Sequence, residues 1–159
     1  LTYREVGEFL ERPGATHAPG LRRSQSRRLW RVMRADALRS AWSDDITVGA
    51  IGSCPPQRAE FRRSARNVDE YDQMGSMFED LYPDSPVPKS AWRWIDAAQD
   101  RLARHGAHRA LSVAHLLVAA TAAHHGLVVL HDDNDLVVAA RHLPDLAEQN
   151  VHDTPPLDR

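Results

Sequence analysis

The chain has 159 residues, 42% of them hydrophobic and 26% charged, the size and balance of one domain able to bury a core. No apolar run reaches membrane-spanning length, no signal-peptide core opens the chain, and a single cysteine, Cys54, excludes an internal disulfide or a cysteine-rich metal site. A cytoplasmic location is the expectation that follows, and a net charge of −2 gives no whole-chain signature of a nucleic-acid binder.

In chain order, Thr2 and Glu5 fit a capping box, so Leu1–Leu10 is expected as a short helix stopped by Pro13-Gly14. Ala15–Gly20 reads as a linker. Arg22, Arg23, Arg27, Arg28, Arg31, Arg34 and Arg39 then crowd one segment, which suits either phosphate contact or a solvated basic face. Large apolar residues are sparse up to position 28. The expected organisation is therefore a poorly defined extension over 1–28, a folded domain over 29–151 and a polar tail over 152–159.

From Leu29 the helical stripes firm up: Leu29, Val32 and Met33, then Ala37, Leu38, Ala41 and Trp42. Asp44-Asp45 should turn the chain into a strand over Val48–Ser53. Pro55-Pro56 suits the first turn of a helix, expected to run to about Arg66 and to carry Glu60. Asn67 caps the next helix, striped Val68, Tyr71, Met74, Met77 or Phe78, and Leu81. Three prolines in Pro83–Pro88 break the chain, and another helix follows with the stripe Trp92, Ile95, Ala98 and Leu102, ending near Gly106.

The most informative stretch is Ser112–Leu143. Val113, Leu116, Leu117 and Ala120 recur at helical spacing, Gly126 is a natural C-cap, and Leu127–Leu130 has the length and content of a buried strand. Asp132, Asp133 and Asp135 crowd the end of that strand, a helix follows, and Leu146–Val151 can add a last short strand. Strands separated by helices predict an α/β fold with a parallel sheet covered by helices. Sites in such sheets lie beyond the carboxyl ends of the strands. One of the three aspartates is expected to cap the following helix. The others, with Glu60 from a neighbouring strand end, are the oxygen donors that suit Mg²⁺ or Mn²⁺. Such an ion activates water and stabilises charge on a phosphoryl group.

The run SVAHLLVAATAAHHGLVVLHDDNDL resembles the C-terminal half of PIN-domain ribonucleases, specifically VapC-type toxins of toxin–antitoxin pairs, and CPPQRAEFRRSAR resembles their strand-then-helix segment. The resemblance extends from about Leu29 to Val151. It implies a PIN-like three-layer fold, a short parallel sheet flanked by helices. It also implies an Mg²⁺-dependent endoribonuclease with a quartet of carboxylates, RNA as substrate, a cognate antitoxin as partner, and a possible homodimer. Glu60 and Asp133 match two of the quartet as catalytic and metal-binding residues, with Asp135 in support. Two positions depart. His115 stands where the family carries an Asp on its helix, and LRRSQSRRL offers no carboxylate where the family has a strand ending in Asp-x-Ser. Neutral histidine suits Mn²⁺ better than Mg²⁺.

These departures raise an alternative, a catalytically inactive PIN-like module that binds an antitoxin or RNA. Arg62, Arg63 and Arg66 are candidates for holding an RNA backbone, and Tyr71, Met74, Met77 and Phe78 for a partner groove. Arg22–Ser26 can also be back-translated so that a shifted frame spells Ala-Asp-His-Ser. That motivates the hypothesis that about the first 28 residues are out of frame with the rest. The nucleotide sequence tests it, and the idea fails if no Asp-x-Ser coding lies in another frame.

Overall fold

A computed structural model describes the backbone of 9–11 and the whole of 44–150. The expected helical stripes over 29–42, the arginine-rich segment, both domain boundaries and the C-terminal tail lie outside the described residues.

A helical turn over 44–47 opens the continuous part. Val48 N–H donates to the Asp44 carbonyl and Ala50 N–H to the Asp45 carbonyl, at 3.0 and 2.8 Å. Gly49, at φ +68°, ends the turn in the left-handed conformation that only glycine adopts without cost. The β-prone Ile46–Val48 is thus spent on a turn, and the strand expected over Val48–Ser53 shortens to β2, Ile51–Gly52.

Helix α1, Pro55–Arg62, starts on two prolines, with the Gln57 side chain accepting the Cys54 N–H at 3.2 Å. It closes earlier than the expected Arg66, as Ser64 and Ala65 turn back onto the carbonyls of Phe61 and Arg62. Helix α2, Val68–Leu81, is capped by Asn67 as the sequence predicts, its side-chain oxygen accepting the Glu70 N–H at 2.9 Å. Helix α3, Ala91–Arg104, buries Ala91, Ile95, Ala98 and Leu102. Trp92, expected in that stripe, sits about 100° further round the helix and is 60% exposed.

Helix α4, Val113–His125, is capped by Ser112 and stopped by Gly126 at φ +64°. Leu116, Val118, Ala119, Ala120, Thr121 and Ala122 are all buried, so the helix is apolar nearly all round. Its one mid-helix hydroxyl, on Thr121, donates back to the Leu117 carbonyl at 2.7 Å. Val113, at the exposed start, is outside the core. Then follow β3 (Val128–His131), α5 (Asn134–Ala140) and β4 (Ala147–Asn150).

Among the described residues the sheet order is β2-β1-β3-β4, where β1 is Phe9–Glu11. Strands β3 and β4 are parallel, with Val129 beside Glu148 and His131 beside Asn150. β1 runs antiparallel to both β2 and β3, so those two run in the same direction with β1 between them. This corrects two expectations. Residues 9 and 10 are strand rather than helix, because ladders on both flanks satisfy the backbone groups and override a local capping signal. The strands before Glu60 and before Asp133 are also not immediate neighbours.

Helices cover both faces. Val129 belongs to the cluster of α3, α4 and α5 residues that includes Ile95, Leu102, Leu116 and Leu136. Leu130, pointing the other way, joins Ile51, Phe61, Met74, Phe78 and Tyr82. The α/β three-layer arrangement predicted from the sequence is present, with β3–β4 as the parallel strand pair among the described residues, together with a parallel bridge from Ser53 to Asp84.

Candidate active site

The best-defined part of the site is the turn after β3. Asp133 is the N-cap of α5, its Oδ1 accepting the Asp135 N–H at 2.9 Å, and it is buried. It is thus the aspartate among the three that caps the helix. Asp132 and Asp135 are exposed. Asp133 is also held from the other side: its own N–H donates to Nδ1 of His131 at 3.0 Å. The His131 ring is fully buried, and its Nε2 lies 2.6 Å from Oε2 of Glu148 on β4. A ring nitrogen that accepts a backbone N–H carries no proton, so the proton sits on Nε2 and is donated to the carboxylate.

Glu60 is held differently. It lies in the last turn of α1, where both carboxylate oxygens accept from Nη1 of Arg63 at 2.9 and 3.1 Å. Its helix packs against α4, which carries His115. His115 is buried, with its backbone N–H donating to the Ser112 hydroxyl at 3.2 Å. On a helix enclosed nearly all round, that position faces inward.

Among the described residues, no three or more His, Cys, Asp or Glu side chains form a group that could hold a metal ion. The proposed set of Glu60, His115, Asp133 and Asp135 therefore does not assemble into a closed metal centre. Asp135 points to solvent and Glu60 is occupied by Arg63. The described residues thus do not by themselves complete a divalent-metal site.

The three candidate arginines are all engaged. Arg62 lies 3.7 Å from the Tyr71 ring centroid, Arg63 holds Glu60, and Arg66 makes a two-point contact with Glu70 at 3.0 and 3.2 Å. The Glu70 hydrogen bond and charge raise the Arg66 pKa above its ordinary value. Of the proposed groove residues, Met74 and Phe78 are core and Tyr71 is exposed.

The contact between His131 and Glu148 escaped the sequence reading. Their pairing depends on the parallel register that sets Val129 beside Glu148, which no local pattern reveals. The available signal was a histidine closing a buried strand, two residues before the capping aspartate.

Over 102 residues the chain is 68% identical to Ribonuclease VapC6 of Mycobacterium tuberculosis, in strains CDC 1551 / Oshkosh and H37Rv alike, covering 64% of this chain and 80% of the relative. The chain belongs to the VapC-type PIN-domain ribonuclease family. A second VapC protein, Ribonuclease VapC21 of the same organism, is 31% identical over 87 residues, covering 55% of this chain and 63% of the relative. No protein-family model matches this VapC-family chain. Among the described residues, no helix is long and apolar enough to cross a membrane.

Proposed function

We propose that this chain is a VapC-like toxin, an endoribonuclease that hydrolyses RNA phosphodiester bonds and pairs with a cognate antitoxin. The observation that carries the reading is the 68% identity to a ribonuclease over 80% of that protein's length. Glu60 and Asp133 are the carboxylates on which cleavage should depend. They stand on opposite sides of β1, Glu60 on the helix after β2 and Asp133 at the end of β3. Divalent-metal dependence belongs to the same reading, with Mg²⁺ or Mn²⁺ as the ion.

The test is cleavage of a labelled RNA with Mg²⁺, with Mn²⁺ and with a chelator. Cleavage that needs the ion and falls at least about tenfold in Glu60→Gln and in Asp133→Asn supports the reading. Cleavage indifferent to both variants overturns the site. Among the described residues no group of three metal donors forms, and that motivates one second reading, an inactive PIN-like module. On that reading wild type cuts no RNA, His115→Asp restores cutting by returning a carboxylate, and a small protein encoded next door is still captured by the folded chain.

A further inference from the structure

The reading above makes Asp133 a working carboxylate but leaves open what holds it in place. One carboxylate oxygen is committed to the Asp135 N–H, which fixes the side chain relative to α5. That bond cannot fix the turn relative to the sheet, because both partners belong to the same seven-residue helix start. The link to the sheet is His131, whose ring accepts the Asp133 N–H. A neutral imidazole can protonate either nitrogen, and only one choice leaves Nδ1 able to accept. Glu148, on the adjacent parallel strand, makes that choice by accepting a hydrogen bond from Nε2–H, with the nitrogen and its Oε2 2.6 Å apart. The ring has no exposure, so water does not compete for either nitrogen.

We propose that His131 is the positioning residue of the acidic turn. It anchors the Asp133 backbone to the sheet through Nδ1, in the tautomer that Glu148 selects, and so aims the Asp133 carboxylate. The proposal rests on the ribonuclease reading for its consequence, but its geometry stands apart from catalysis. Partners at one remove from a working carboxylate are worth about ten- to a hundredfold in activity or metal affinity.

The two ring contacts can be separated chemically. Asparagine places its carbonyl oxygen near Nδ1 but is too short to reach Glu148. Glutamine places its amide nitrogen near Nε2 but offers no acceptor to Asp133. Amide hydrogen exchange on the full chain reads the contact directly. The Asp133 amide should be protected in wild type and in His131→Asn, and should lose that protection in His131→Gln. Glu148 gives a second handle that leaves the buried ring intact and keeps the test open if a ring variant does not fold. Glu148→Ala frees the ring to change tautomer and should expose the Asp133 amide, whereas Glu148→Gln, whose carbonyl still accepts, should preserve it.

RNA cleavage supplies the functional arm. His131→Gln should lower the rate about tenfold or more, His131→Asn by a smaller factor, and His131→Gln should add nothing to Asp133→Asn. Equal protection of the Asp133 amide in the Asn and Gln variants, or in the Ala and Gln variants at Glu148, overturns the anchor. Independent, additive losses with Asp133→Asn overturn its action through Asp133. A wild type that cuts no RNA defeats the ribonuclease reading alone, since the exchange pattern still decides the contact.

Discussion

Asp133 follows β3 by two residues and Glu60 lies in the last turn of the helix after β2, and the two carboxylates are held by opposite means. Asp133 is buried and tied at its backbone to one element and at its side chain to another. Among the described residues Glu60, its side chain 19% exposed, is tied to Arg63 three residues on, whose side chain is 56% exposed. The first can change only by disturbing the fold around it. The second can exchange its partner for another cation more easily, because the exposed Arg63 side of the pair competes with water and salt. The two carboxylates thus differ in kind, one rigid and one adjustable.

The largest effect should come from the layer both carboxylates share. Phe61, next to Glu60, and Leu130, next to His131, lie in one buried cluster with Met74 and Phe78, and the Phe61 and Phe78 rings meet edge-to-face at 5.1 Å. Phe61→Ala should cost about 3–5 kcal/mol, read as a drop in the urea midpoint. A cost under about 1 kcal/mol would mean that the two carboxylates do not rest on a common support.

Next in size is the contrast at the carboxylates themselves. Asp133→Ala removes a helix cap and should cost about 1 kcal/mol, while Asp133→Asn keeps an equally good cap and should leave stability nearly unchanged while lowering cleavage. Glu60→Gln should lower cleavage with a stability change of less than about 1 kcal/mol, since it breaks one partly exposed pair and keeps a hydrogen-bond acceptor for Arg63. Thermal melts beside cleavage assays make the comparison. If Asp133→Asn and Asp133→Ala destabilise equally, the side chain is not acting as a cap.

Much of this was legible in the sequence because it is local. Asn67 and Gly126 cap their helices as expected, and the strand after Gly126 falls within a residue of expectation, followed by the acidic turn and a helix in the expected order. What was not legible is what depends on the third dimension. Ile46–Val48 looks like strand until Gly49 closes a helical turn. Phe9–Glu11 becomes strand only because two others flank it. At the site, one of three aspartates was expected to cap α5, but that it was Asp133, the same residue expected to bind metal, required the structure. The His131–Glu148 contact required the register of β3 on β4.

The same layer offers a test at alkaline pH. Burial pushes the Tyr82 phenol well above its ordinary value, and its ring packs 5.7 Å from that of Phe78. A phenol that ionises later in the folded chain than in the unfolded one stabilises the fold fully below about pH 10, and that contribution is lost as pH rises. Urea midpoints should therefore fall above pH 10, and fall less steeply in Tyr82→Phe. Parallel pH profiles for the two proteins would show that the phenol is not the group responsible.

The smallest expected effect calibrates the adjustable carboxylate. Asp100 and Arg104 form an exposed pair one turn apart on α3, at 2.9 and 3.1 Å, comparable in length to Glu60 and Arg63 but remote from the acidic turn in sequence. The Arg104 hydrogen bond, more than its charge, holds the Asp100 carboxyl below the usual range. A carboxyl lowered in the folded state contributes stability above its unfolded value of about 3.9, and that contribution disappears as pH falls through the folded value. Arg104→Ala should therefore be slightly less stable than wild type at pH 7 and indistinguishable from it near pH 2, with added salt shrinking the gap at neutral pH. A gap that persists at low pH would come from lost packing of the arginine stem instead. If Arg63→Ala produces a clearly larger and salt-resistant loss, Glu60 is not an adjustable surface group, and the contrast with Asp133 collapses.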